Sequence, residues 1–173
     1  MTSQVNKILP IRIFGDPVLR KKARAIENID GSIDQLARGM MESLSQARGL
    51  GLAAPQVGQS KALCIINLPL LDEKAKQPLV VINPKIYLRE GEVNYEEGCL
   101  SFPGIYAEVN RPKKIALTGF DLDGNELEYE ADDILARVFL HETDHLDGVL
   151  FIDHLSTIKR QLLKSKLKKL NQD

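Results

Sequence analysis

The pattern His141-Glu142-Thr143-Asp144-His145 sets two imidazoles one helical turn apart with a carboxylate beside the first, a spacing that lets both rings bind one divalent ion from the same helix face. Taken singly, each histidine reads more readily as a hydrogen-bonded core residue; the intervening glutamate and a separate cysteine motif reverse that reading. Two imidazoles leave a catalytic centre incomplete, because such centres take three protein ligands and keep one position open for water. In zincin peptidases the third ligand is a downstream Glu, or a His in the longer H-E-x-x-H-x-x-G-x-x-H form. Here Gly148 falls at the glycine position, but Phe151 stands where that histidine would be. Cys99 is the better candidate: it lies in EEGCLSFPG among acidic and turn-forming residues, whereas Cys64 lies in the apolar run ALCII and reads as a buried strand residue. A thiolate with two imidazoles suits several first-row metals, so these residues alone leave the metal open. Asp144 and Asp147 read as solvated helix residues and His154 lacks ligand spacing, so all three are expected outside the site.

The elements that position these groups follow from periodicity. Ile134, Val138, His141 and His145 extend one inward stripe, which predicts a helix over about 132–147, with Asp132 or Asp133 as N-cap and Gly148 ending it. Ile33, Leu36, Met40, Leu44 and Ala47 predict another over 32–48, with Ser32 and Gln35 as a capping box, stopped at Gly49-Leu50-Gly51. Strand-like runs at 62–68 and 79–88 flank a polar loop from Asp72 to Pro78, and the segment 93–97 leads into Gly98 and Cys99. Apolar and polar residues alternate on both sides of Asp123-Gly124, a hairpin signal. A third helix over 156–170 carries Ile158, Leu162 and Leu170 among Lys159, Arg160, Lys164, Lys166, Lys168 and Lys169. Strands in the middle and helices at both ends imply an α+β fold, with antiparallel sheets packed around a central helix that carries H-E-x-x-H.

At 173 residues, 43% hydrophobic and 27% charged, the chain fits one domain over 1–173 with a mainly aliphatic core. Its 23 Lys and Arg against 24 Asp and Glu give no overall field toward DNA or anionic lipid. No apolar stretch approaches the roughly 20 residues that cross a bilayer, and the N-terminal MTSQVNKILPIRIFGDP has neither a secretory nor a transit pattern. The expected setting is therefore a reducing cytoplasm, where a Cys64–Cys99 disulfide is not expected.

Four segments carry a family resemblance. GLGLAAPQVG at 49–58, EGCLS at 97–101 and HETDH at 141–145 resemble, in order and approximate spacing, the three signature motifs of peptide deformylases of the plastid and bacterial type 1 family, and GDPVLRKKA at 15–23 is similar to their N-terminal segment. SFPGIYAEVNRP particularly resembles the plastid and cyanobacterial kind, which makes a plastid stroma the setting if this is a processed organellar form. The resemblance implies hydrolysis of the formyl group from N-formylmethionyl nascent peptides, releasing formate. It implies one ion per chain on Cys99, His141 and His145 with a water as fourth group. Fe(II) is the native ion in such enzymes, with Zn, Ni or Co as substitutes. The ion lowers the pKa of that water toward about 7, and Glu142 shuttles its proton to the leaving amine. Gln56, through its side-chain amide, and Leu100, through its backbone N–H, would stabilise the oxyanion. Gly51 would pair with the extended substrate backbone, and Leu50, Tyr95 and Ile134 would contact the methionine side chain. Tyr106 departs from the arginine that many bacterial relatives carry soon after the cysteine motif. The basic third helix is expected either as a solvated face or as a ribosome contact. Two other readings stay open: an H-E-x-x-H zinc endopeptidase, and a non-catalytic homologue with a structural metal site.

Overall fold

The computed structural model describes residues 7–171. Helix α1 spans Gly31–Ala47 and buries Ile33, Ala37, Met40 and Leu44. Its cap is Asp30, whose side chain accepts from the Ser32 and Ile33 N–H groups; the expected Ser32–Gln35 capping box gives way because the Ser32 hydroxyl itself donates to Asp30 Oδ1 at 2.6 Å. The helix ends at Arg48 in the left-handed conformation, φ 53°. The chain then forms β1 (Gly51–Ala53), a short 3-10 turn at Ala54–Val57, β2 (Leu63–Ile66) and β3 (Leu79–Glu90).

Strand β4 (Val93–Gly98) pairs only with β5 (Tyr106–Arg111), while β6 (Lys114–Phe120) and β7 (Glu126–Asp132) form the expected hairpin, with Gly124 at φ 83° in its turn. The main sheet runs β1-β2-β3-β6-β7 and every pairing in both sheets is antiparallel. Strand β5 is absent from the periodicity-based reading because its polar residues Glu108 and Asn110 alternate with only two apolar ones. The α+β class and antiparallel sheets agree with expectation.

Helix α2 (Asp133–Leu146) packs Ala136, Val138, Phe139 and Leu140 with Cys64, Ile66, Val81, Ile115 and Leu117 of the main sheet. Helix α3 (Thr157–Leu170) is capped by the Ser156 hydroxyl. Its inward side corrects the expected stripe: Ile158 and Leu162 are largely exposed, while Leu163, Leu167 and Leu170 join Leu19, Phe102 and Phe151. Leu163, Leu167 and Leu170 recur three to four residues apart, the spacing a packed helix face needs. Ala47 is likewise exposed because α1 ends there. No described helix is long and apolar enough to cross a membrane.

Candidate metal centre

The α2 stripe carries His141, Glu142 and His145 inward, and all three are buried. Cys99 follows the last residue of β4, so the small sheet brings its sulfur to the face of α2. The nearest ligand atoms of Cys99, His141 and His145 all lie within 4.8 Å of one another, and Cys99 Sγ is 3.3 Å from His145 Nε2. His141 Nδ1 lies 3.0 Å from Glu97 Oε2. A carboxylate can only accept, so Nδ1 carries the proton and the Nε2 lone pair is left for another partner. Burial pushes the His145 pKa well down, which keeps that ring neutral and able to ligate. A sulfur and two imidazole nitrogens thus converge as a donor set for one divalent ion. One buried atom beside them, Glu142 Oε2, has no hydrogen-bond partner in the protein, which fits a site completed by something other than the chain.

Glu142 is the residue whose chemistry burial changes most usefully. Loss of hydration raises its carboxyl to about 7, which is where a group that both takes and returns a proton at neutral pH belongs. Gly51 makes room for it: a Cβ there would sit 2.6 Å from Glu142 Oε1. The glycine therefore serves the carboxylate directly as well as leaving the edge strand β1 open to an extended chain.

Gln56 is fixed from three sides. Its Oε1 accepts the Ala53 N–H at 2.9 Å, and its Nε2 donates to Ser101 Oγ at 3.2 Å and toward Cys99 Sγ at 3.5 Å. With the carbonyl oxygen occupied, the amide presents N–H to the sulfur side of the site. A cavity of about 500 Å³ opens there, lined by Leu50, Gly51, Gln56, Leu100, Ile134 and Val138, with Cys99, His141 and Glu142 at its base. Leu50 and Ile134 are about 40% exposed at its mouth. Tyr95 does not line it: Arg137 comes between, its guanidinium 5.5 Å from the Tyr95 ring centroid. A bulky side chain on the same strand face as buried Glu97 had to give way to the cation that Glu97 draws in.

Glu97, Arg111, Arg137 and Ser101 were not anticipated. Glu97 is bound by Arg111 through Nε at 2.5 Å and Nη2 at 3.0 Å, and by Arg137 Nη1 at 2.7 Å. Burial alone would raise its carboxyl, but the His141 and Arg111 hydrogen bonds prevail and hold it near about 2. Arg137 Nη2 also donates to Val93 O at 2.7 Å, clipping β4 to α2. The signal available was an arginine inside the apolar stripe of α2 and an acid two residues before Cys99. Asp144 and His154 lie outside the cavity, as expected, but not outside its support: Asp144 Oδ2 accepts from Arg111 Nη1 and His154 Nε2, each at 2.7 Å. Asp147 faces Lys22 at the surface.

A sequence profile of the polypeptide deformylase family matches residues 8–161. The peptide deformylase of Endomicrobium trichonymphae is 46% identical over 161 residues, covering 93% of this chain and 94% of that protein. Among solved structures, the Thermus thermophilus peptide deformylase superposes with a TM-score of 0.88 at 41% identity, over 95% of this chain and 98% of that one. Peptide deformylase 1B of Arabidopsis thaliana gives 0.88 at 36% identity, over 94% and 90%.

Proposed function

Because this chain belongs to the polypeptide deformylase family, we propose how its own residues divide the work of hydrolysing the formyl group from N-formylmethionyl nascent peptides. Cys99, His141 and His145 hold one divalent ion. When bound, that ion supplies a Lewis acid and brings the pKa of a water toward about 7. Fe(II) is the proposed native metal, with Zn, Ni or Co able to occupy the same donors.

The substrate enters extended along the free edge of β1, its methionine side chain against Leu50, Ile134 and Val138. Its formyl oxygen comes between the Gln56 amide and the Leu100 N–H, donors that gain strength as the oxygen becomes an oxyanion. Glu142 accepts one proton from the attacking water as the carbon–oxygen bond forms. It returns that proton to the amine nitrogen as the carbon–nitrogen bond breaks, leaving formate and a free N-terminus. Glu97 fixes the His141 ring, and Arg111 and Arg137 fix Glu97. The observation that carries these roles is the partnerless buried Glu142 carboxylate beside three converging donors. A structural metal site is not favoured, since only three ligands converge among the described residues and a structural site would be closed by a fourth; an endopeptidase is not favoured because the family and its relatives are peptide deformylases.

Formate release from formyl-Met-Ala-Ser tests the assignment. Glu142→Gln keeps the shape of the side chain, so metal content should persist while kcat falls by about 10²-fold or more; unchanged turnover would remove Glu142 from the mechanism. We also propose that the chain works as one domain in the cytoplasm, with the exposed cations of α3 contacting ribosomal RNA phosphates.

A further inference from the structure

Arg48 and Glu96 both line the same cavity. Its backbone is left-handed, φ 53° and ψ 34°, a conformation that ordinarily falls to glycine or asparagine where a helix ends and that costs other residues about 1 kcal/mol. The segment around it is pinned. Arg48 N–H returns to the α1 carbonyls of Leu44 and Ser45, Gly49 N–H bonds Leu44 O at 3.2 Å, and Asn67 takes the Leu50 carbonyl through its N–H at 2.8 Å and the Gly49 carbonyl through Nδ2 at 3.2 Å. The position of the arginine relative to the cavity is therefore set by the fold.

No ion pair or side-chain hydrogen bond engages Arg48 among the described residues. Glu96, of the same cavity lining, is exposed and lies opposite another acid, Glu108, in the β4–β5 register. A chain leaving the site thus meets a cationic residue from the end of α1 and an anionic one from β4. Side chains of an extended peptide alternate between two sides, so successive residues of the substrate meet different parts of this lining. A strained position, an uncommitted guanidinium and a place on the cavity rim together call for a reason beyond ending a helix.

We propose that Arg48 is a specificity-determining residue: it favours nascent chains carrying Asp or Glu among the residues that follow the formylmethionine, at the position whose side chain faces the α1 end of the cavity. The inference rests on the deformylase reading, which fixes where the formyl group sits and hence which way the chain runs. Because the rim is open to water, the attraction is of the exposed kind, worth a two- to five-fold preference at low salt. It acts on ground state and transition state alike, so it appears in KM.

The test compares kcat/KM for formyl-Met tetrapeptides carrying Glu, Gln or Lys in turn at the second, third and fourth positions, at about 20 mM and 300 mM salt. At one position Glu should exceed Lys by about two- to five-fold at low salt, through KM, with the gap closing at high salt. In Arg48→Gln that Glu/Lys ratio should fall to about one. A ratio near one at all three positions in the wild type, or a ratio unchanged by Arg48→Gln, overturns the proposal. Turnover of the all-neutral peptide by the wild type reports separately on the deformylase reading. Arg48 also lies at the C-terminal end of α1, where a cation favours the helix dipole. Thermal unfolding of Arg48→Gln and Arg48→Gly separates that role: a change in melting temperature with the wild-type ratio intact would mean that the charge serves only the helix.

Discussion

The groups proposed to carry the chemistry are held by neighbouring side chains, and Ser101 is the sharpest instance. It is fully buried, and its hydroxyl takes one of the two Gln56 amide protons, leaving the other directed at the sulfur side of the site. Removing the hydroxyl frees the amide to turn or to bond elsewhere, which weakens the donor proposed to meet the developing oxyanion without removing it. Ser101→Ala should therefore lower kcat by about tenfold, less than the 10²–10³ expected from loss of a whole oxyanion donor, with KM and metal content little changed. The decisive measurement is a double-mutant cycle with Gln56→Ala. If Ser101 acts through Gln56, the second substitution costs almost nothing further; independent, additive losses would assign Ser101 to packing alone. Glu97 follows the same logic toward His141, with the added cost that its loss would leave two buried guanidinium groups uncompensated.

At the scale of elements, α1 shows how local chemistry decides a boundary. Asp30 accepts two N–H groups of the first turn and a hydroxyl, which holds its carboxyl below the usual range, the Ser32 hydroxyl contributing most. Asp30→Ala should lower the urea midpoint of unfolding, whereas Gln35→Ala should change it little because no capping box forms. The reverse ranking would restore the box. What the residues disclosed and what they hid divide along the same line. The periodic stretch from Val138 to His145 announced its helix and inward face, since burying one side of a helix forces a repeat of three to four residues, whereas Ile134, expected on the same stripe, lies exposed. The three separated motifs of the resemblance placed Cys99, His141 and His145 in one set before any coordinates. Strand β5 went unseen because it is a polar ribbon stabilised mainly by pairing with β4, and pairing leaves no mark on a single stretch of sequence. Tyr95 was misplaced and Glu97, Arg111 and Arg137 were missed for a related reason: a buried ionic cluster is a property of residues far apart in the chain, each of which looks like a surface residue on its own.

Across the whole molecule, charged contacts join distant segments, adding to what the hydrophobic clusters hold together. Glu97 binds the small sheet to α2, and at the other end Arg20 clasps Asp153 through two hydrogen bonds, tying the 3-10 turn at Pro17–Arg20 to the one at Phe151–His154. Asp153 also accepts the Leu150 N–H at 2.9 Å. Burial opposes ionisation of Asp153, but the Arg20 hydrogen bond and that backbone donor outweigh it and hold the carboxyl below its ordinary value. A carboxyl whose pKa is depressed on folding contributes stability that is fully present above its unfolded value of about 4 and lost as pH falls through the folded value. Glu97, near about 2 in the fold, adds a second contribution of the same sign that persists to lower pH. Stability should therefore be flat from pH 7 to about 5 on account of these two groups and decline below about 4. Because Asp153 and Arg20 are partly exposed, their share is modest and shrinks with added salt. In Asp153→Asn the plateau should drop, and the slope of unfolding free energy against pH below 4 should become shallower than in the wild type, since one of the groups that takes up a proton on unfolding is gone. Denaturant titrations at half-unit pH steps would measure both slopes. Equal slopes would mean that the clasp between Arg20 and Asp153 carries no folding energy and that acid acts through Glu97 and the remaining carboxylates alone.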